Sequence, residues 1–498
     1  TRLDLLIHPR GLPLWSAIGQ STFASRADIV WLVVLVGVLG TSRLIAAIVF
    51  PVYDDAFIVF RYARNLALGN GFVYESREHV LGVTSPAYGV LLSVFYAVGL
   101  PLPEVSAAFN IVCDLVLLWL VWLTLRRAQL LDLAIVFGIF FAISPMLARA
   151  SAGGLETGLF LVAVFGAITL DQYGYAGLSV FVAAASMFVR PEGSLLLVLL
   201  LLKSLFWNRG RFITLMIISG LTIIPVLVAL HNYYGSVLPQ SVVAKARLMN
   251  SPLEQLVRTL IVPEAFSVAL VPLAVVGGLR VWAVCGPVRI LALWTAAYLG
   301  AYTFARPMVF SWYSVPVQFT LVLFASCGFG VVAARVFGTR GNATWLVPLK
   351  RLAVLMPILV WTSVLMLKGP SPVTTSLFRP LADYCKESVA EGTTIEASDI
   401  GAVGYYCNAR ILDTMGLVWP EALRRQGWQD IVETYKPEYV LALATLDAVR
   451  AVRDHSAFRP YRVVARFSPN RNSDVSLDPS KYPNTSWVQD YLLLKREP

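Results

Sequence analysis

Long apolar runs constrain this chain more than any other feature of it. The hydrocarbon core of a bilayer, about 30 Å thick, takes about 20 residues of helix to cross. Irregular backbone cannot cross it, because its N–H and C=O groups would lose their partners. Runs of this kind lie at 29–50, 104–125, 131–148, 155–171, 175–190, 192–207, 212–230, 264–283, 288–304, 314–335 and 350–368. They predict a membrane all-α bundle of eleven transmembrane helices. Composition agrees, since 57% of the 498 residues are hydrophobic and 14% are charged, against about 25% charged in soluble domains.

The run "SPAYGVLLSVFYAVGL" at 85–100 is a twelfth candidate, but charge parity argues against it. If 85–100 does not span, Arg126 and Arg127, then Lys203, Arg209 and Arg211, then Arg280 and Arg289, then Arg335, Arg340, Lys350 and Arg351 all face the cytoplasm. Counting it as a span puts every one of those clusters outside, against the positive-inside bias. The segment is therefore read as a juxtamembrane helix. The same bias accounts for the net charge of +10 without a nucleic-acid partner, and no basic run is interleaved with aromatics. The outer face of the membrane then receives 51–103, 149–154, the "RPEG" corner at 190–193, 231–262, 305–313 and everything after 369.

From about 369 to 498 the chain turns polar, with short apolar runs alternating with helical stretches ("TTIEAS", "YVLALAT", "YRVVARF"). That pattern predicts a small extracytoplasmic α/β domain, following a transmembrane module at 1–368. Cys385 and Cys407 fall in this domain. In an oxidising compartment they are candidates for a disulfide, with two buried free thiols as the alternative. Cys113, Cys285 and Cys327 sit in apolar runs and read as small core residues.

Asp54 and Asp55 stand side by side a few residues past the first run, in "VYDDAFIVFRYARNLALGNGFVYES". Two readings are open and compatible. Asp54 as N-cap and Asp55 in the first turn suit a helix N-terminus, or the pair carries out chemistry at the outer surface. Other ionisable and aromatic residues gather on that side: Arg61, Arg64, Glu156, Arg190, Glu192, His231, Tyr233, Tyr234, Lys245, Arg306 and Tyr313. Such groups at membrane depth are costly and tend to be paired or functional. Arg190 and Glu192 also read as a simple structural pair, and Lys245 as a lysine reaching to the interface. A carboxylate can take the proton of an attacking hydroxyl, and a cation can neutralise a departing phosphate. Neither a P-loop nor a G-x-G-x-x-G dinucleotide motif occurs.

The segments "DDAFIVFRYARNLALGNGFVYES…VLGVTSPAYGVLL", "SAGGLETGLF", "VRPEGS", "NYYGSVLPQSVVAKA" and "SDIGAVGYYCNARILDTMGLVWPEA" together resemble the GT-C superfamily of integral-membrane glycosyltransferases. The likeness is to bacterial terminal arabinofuranosyltransferases and, more distantly, to aminoarabinose and protein O-mannosyl transferases. The resemblance implies an inverting transfer of a monosaccharide from a polyprenyl-phosphate carrier, with a pentose such as arabinofuranose as one candidate. The acceptor is then a cell-envelope glycan, glycolipid or protein on the periplasmic face of a bacterial plasma membrane. It implies that Asp54 is the general base, that Asp55 orients the acceptor or a divalent cation, and that Glu156 lines the same cavity. Lys245, with Arg61, Arg64, Arg190 and Arg306, is implied to hold donor phosphate. His231, Tyr234, Glu192 and Tyr313 belong to the same candidate substrate site. No cofactor is certain; a cation held by Asp54 and Asp55 is the one expected, if any. A lipid-linked sugar transporter or flippase is the competing reading, although no duplicated halves appear.

Overall fold

The computed structural model describes residues 26–337 except 77, 129 and 249–251, then 356–364 except 358 and 362, and 378–497 except 468–476 and 479–489. The chain divides into two compact units: one of 1–49, 107–229 and 249–370, the other of 50–106, 230–248 and 371–498.

Among the described residues, five helices are long and apolar enough to cross a membrane: Asp28–Val49, Leu102–Arg127, Arg209–Tyr234, Gly286–Ala305 and Ser311–Ala333. Two bent pairs, Leu131–Ile143 with Pro145–Ala152 at 64° and Leu253–Leu260 with Ala265–Arg280 at 86°, raise the number to seven. Eleven spans are therefore not what the described residues present. The runs expected at 155–171, 175–190 and 192–207 form the helices Thr157–Gln172, Ala176–Ser186 and Gly193–Trp207, of 16, 11 and 15 residues. At 1.5 Å per residue, each falls short of a hydrocarbon core about 30 Å thick. Glycine at 174 and proline at 191 mark the breaks between them. The run at 350–368 lies largely outside the described residues. Pro86–Ala97 has 12 residues and is likewise too short to cross upright.

A buried ion pair organises the first unit. The helix Leu131–Ile143 ends at Ser144, whose side chain caps the next helix ahead of Pro145. A bend of this kind strips the last carbonyls of their helical partners. Arg43 supplies donors: Nη2 to the Phe141 carbonyl at 2.9 Å and Nη1 to that of Ala142 at 3.4 Å. Its Nε meets Asp114 Oδ2 at 2.5 Å, and Ser151 Oγ donates to the same oxygen at 2.5 Å. Trp361 Nε1 also donates to the Ala142 carbonyl, at 2.7 Å. Residues of four helices thus meet on one buried charge pair.

The second unit is built around a five-stranded sheet: β1 (Thr394–Ala397), β2 (Arg410–Asp413), β3 (Tyr439–Leu443), β4 (Tyr461–Phe467) and β5 (Tyr491–Arg496). The order is β2-β1-β3-β5-β4, with β1 parallel to β2 and β3, and β5 antiparallel to β3 and β4. Helices connect the parallel strands, which need a crossover. Val440, Ala442, Val449, Phe458, Leu492 and Leu494 form its core. A disulfide joins Cys385, in the helix Phe378–Ser388, to Cys407, at the end of the helix Gly401–Tyr406. With a sequence separation of 22, such a link restricts the unfolded chain by about 3 kcal/mol.

Glu396 lies buried in β1, where Thr414 Oγ1 donates to one carboxylate oxygen and the other has no partner. Burial pushes this carboxyl up to about 8, and the nearby Asp413 charge adds to the effect. A raised carboxyl favours the folded state in its protonated form. Its contribution is therefore held at low pH and lost as pH rises from the ordinary carboxylate range through about 8. Glu396→Gln is expected to flatten that decline, read as melting temperature in detergent across pH 5 to 9. An equally steep decline in the variant removes Glu396 as its source.

Candidate active site

The helix Asp54–Ala67 begins after Tyr53, whose extended backbone follows Pro51. Asp54 and Asp55 are its first two residues, where free N–H groups and the helix dipole favour negative charge. Beyond them Ala56, Phe57, Phe60, Tyr62 and Ala63 are fully buried. The polar face of the same helix gathers the loop that follows. Asn65 Nδ2 donates to the carbonyls of Val73 and Tyr74 at 2.8 and 3.0 Å, and Tyr62 Oη to that of Val80 at 2.6 Å.

Asp54 does not cap its own helix, whose N-cap position is Tyr53. Its carboxylate caps another: Oδ2 accepts the Gly401 N–H and Oδ1 the Ala402 N–H, both at 2.8 Å. Only glycine fits at 401, because a Cβ there would lie 1.8 Å from the Asp54 carbonyl oxygen. Gly404 is similarly pressed, with a Cβ position 1.9 Å from Tyr74 Oη. Asp399 flanks this turn and accepts from Tyr491 Oη at 2.6 Å. Burial, then the Asp399 charge, pushes the Asp54 carboxyl up to about 7 against the opposing pull of the two N–H groups. Burial also raises Asp55 and Asp399, with Lys245 opposing the shift at Asp55 and Tyr491 opposing it at Asp399.

Lys245 Nζ lies 4.0 Å from Asp55 Oδ2, and the two side chains remain 17% and 29% exposed. The helix Gln240–Leu248 that carries it is fixed at its start. There the Gln240 N–H donates to the Leu81 carbonyl at 2.7 Å, and Gln240 Nε2 donates to the Gly416 carbonyl at 3.1 Å. Asp54, Asp55, Lys245 and Asp399 thus belong to one unit, as half-buried charges with access to solvent.

The other candidates are placed differently. Arg61 is buried and engaged by the Tyr74 carbonyl at 2.8 Å, Glu75 at 2.9 Å and the Ala409 carbonyl at 3.2 Å. Arg64 donates to the Tyr405 carbonyl at 2.5 Å and lies over the Tyr405 ring. Tyr234 Oη donates to the Phe72 carbonyl, while His231 is exposed. Glu156, Arg190, Glu192, Arg306 and Tyr313 fall in the first unit. There Arg190 Nη2 meets Glu192 at 3.1 Å and Nε lies 3.9 Å from Glu156, with the guanidinium over the Tyr313 ring at 5.1 Å. Tyr302 Oη donates to Glu192 at 2.5 Å. Arg306 is exposed, in a left-handed conformation at the end of the helix Gly286–Ala305. Sequence reasoning did not single out Asp399, Tyr491 or Tyr302. The one available signal for Asp399 was its place just ahead of two glycines three residues apart, in "SDIGAVGYY".

Among the described residues, no group of three or more His, Cys, Asp or Glu is placed to hold a metal ion. Asp54 already accepts two N–H groups and Asp55 faces Lys245, so the donor set expected for a cation is sparse and partly committed.

Residues 373–489 match a family model described as a domain of unknown function, DUF8728. Over 221 residues the chain is 32% identical to the terminal beta-(1->2)-arabinofuranosyltransferase of Mycobacterium tuberculosis, covering 39% of this chain and 34% of that protein. It therefore spans about a third of that relative's length. Over nearly its whole length it superposes on ArnT from Cupriavidus metallidurans in the apo state, with a TM-score of 0.60 and 12% identity, covering 94% of this chain and 98% of that one. ArnT bound to undecaprenyl phosphate gives a TM-score of 0.57 at 11% identity, covering 95% and 98%. A polytopic bundle with a small sheet domain on this plan has the fold of ArnT.

Proposed function

We propose that this chain transfers a monosaccharide, a pentose such as arabinofuranose, from a polyprenyl-phosphate carrier to a cell-envelope glycan, glycolipid or protein acceptor. The reaction is placed on the periplasmic face of a bacterial plasma membrane. The observation that carries the reading is the half-exposed Asp54–Asp55 pair with Lys245 4.0 Å from Asp55, in a chain of GT-C fold. The activity named for the Mycobacterium tuberculosis relative and the carrier bound to ArnT support the donor class.

In one step the acceptor hydroxyl oxygen attacks the anomeric carbon from the face opposite the phosphate. Its proton passes to Asp54 as the new glycosidic bond forms and the bond between the anomeric carbon and the phosphate oxygen breaks; the electron pair stays on the departing phosphate, so the anomeric centre inverts. A carboxyl held near 7 suits a base working at neutral pH. The leaving phosphate falls to Lys245, the cation that lies 4.0 Å from Asp55 in the same unit. Fixed positive charge aimed at a developing anion stabilises the transition state.

The test incubates purified protein with a panel of polyprenyl-phosphate sugars, with and without EDTA, and follows release of polyprenyl phosphate and binding of donor. One donor is expected to turn over. Binding of a donor with no turnover, acceptor being present, would overturn the reading in favour of a lipid-linked sugar transporter; no binding of any donor would overturn both.

A further inference from the structure

Resting on that reading, we infer that the segment 399–402 of the C-terminal domain consists of positioning residues for the reaction, holding the Asp54 carboxylate in its working orientation. Both carboxylate oxygens are tied, each by one backbone N–H at 2.8 Å. A carboxylate bound through both oxygens cannot rotate about its terminal bond, yet each oxygen retains a second lone-pair direction for an incoming proton. The clamp is itself held. Tyr74 Oη donates to the Ile400 carbonyl at 2.6 Å, Arg64 to that of Tyr405 and Arg61 to that of Ala409. The disulfide at Cys407 pins the far end of the helix. Asp399, the second carboxylate beside Asp54, is oriented by Tyr491 from the last strand of the domain.

The glycine at 401 is informative. Its bare Cα lets the turn come close enough for two short bonds to one side chain. An ordinary helix cap needs no such approach, since a residue of the helix's own segment supplies it. Here the helix Gly401–Tyr406 has no side-chain cap from its own N-cap Ile400, and Asp54 takes that place from 347 residues away. The domain of unknown function therefore builds one wall around the base rather than standing apart as an acceptor-binding module.

The test uses full-length Ala402→Pro, which removes the N–H on Asp54 Oδ1 while keeping a residue tolerated in the first helical turn. Gly401→Ala is the second variant. Each is assayed for turnover, for donor KM, and for carbodiimide labelling of Asp54 read by mass spectrometry. Misplacing a reacting group by about 1 Å costs about a hundredfold in rate. The expected result is a kcat lower by about that factor in Ala402→Pro, donor KM within about twofold of wild type, and faster labelling of Asp54. A clamp with a merely structural role would lower melting temperature and leave kcat unchanged, which overturns the assignment. Unchanged labelling in both variants overturns the clamp while leaving the donor reading intact. No turnover by the wild-type protein overturns the donor reading, and this assignment with it.

Discussion

Asp54→Asn is expected to reduce turnover by about a thousandfold, the middle of the range for loss of a general base, while the protein still binds donor. Asn keeps an acceptor oxygen for one of the two N–H groups at 401 and 402, so the fold has reason to survive. The wild-type rate should rise with pH through about 7, because burial and Asp399 hold the carboxyl there and only the ionised form accepts a proton. The stability sign runs the other way. A raised carboxyl costs stability on ionising, so that cost is absent in acid and complete above about 7. Activity and stability are thus set against each other at one residue. A pH–rate profile with its rising limb near the ordinary carboxylate range would remove Asp54 as the titrating base.

Asp114→Ala is expected to be the most damaging single change in the first unit. Arg43 would be left buried with its Nε unpaired, beside Ser151 Oγ, which has lost the same acceptor. Breaking a buried pair by deleting one partner costs about 3–5 kcal/mol, and the bend at Ser144 loses a firm donor to the Phe141 and Ala142 carbonyls. The measurement is thermal unfolding in detergent. The double variant Arg43→Met/Asp114→Leu should recover much of the loss, since apolar replacement of a buried pair is often neutral or better. If the single variant melts with wild type, the pair does not hold these segments together.

Much of this protein is local in origin. Apolar runs, the short polar-flanked helix at 86–97, the change of character near 370 and the adjacent aspartates at the head of a helix are all visible in sequence, because burial preference and helix-end chemistry act over a few residues. The span count is not. Proline at 145 bends the run read at 131–148, and the three helices between 157 and 207 are each too short to cross upright. Arg61 shows a second limit: in sequence it is one more cation near the site, and in the fold it is enclosed by Glu75 and two carbonyls.

What the sequence by itself determined was the class of solvent this chain needs and the place where two carboxylates leave it. Those depend on hydrophobicity and on the identity of neighbouring residues. Which carboxylate is held, and by what, was decided only in the tertiary structure. The Gly401 and Ala402 donors, the Tyr491 hydroxyl on Asp399 and the Lys245 partner of Asp55 come from distant segments. No periodicity along the chain encodes such pairings: they arise from the approach of segments distant in sequence, which at Gly401 only a glycine permits.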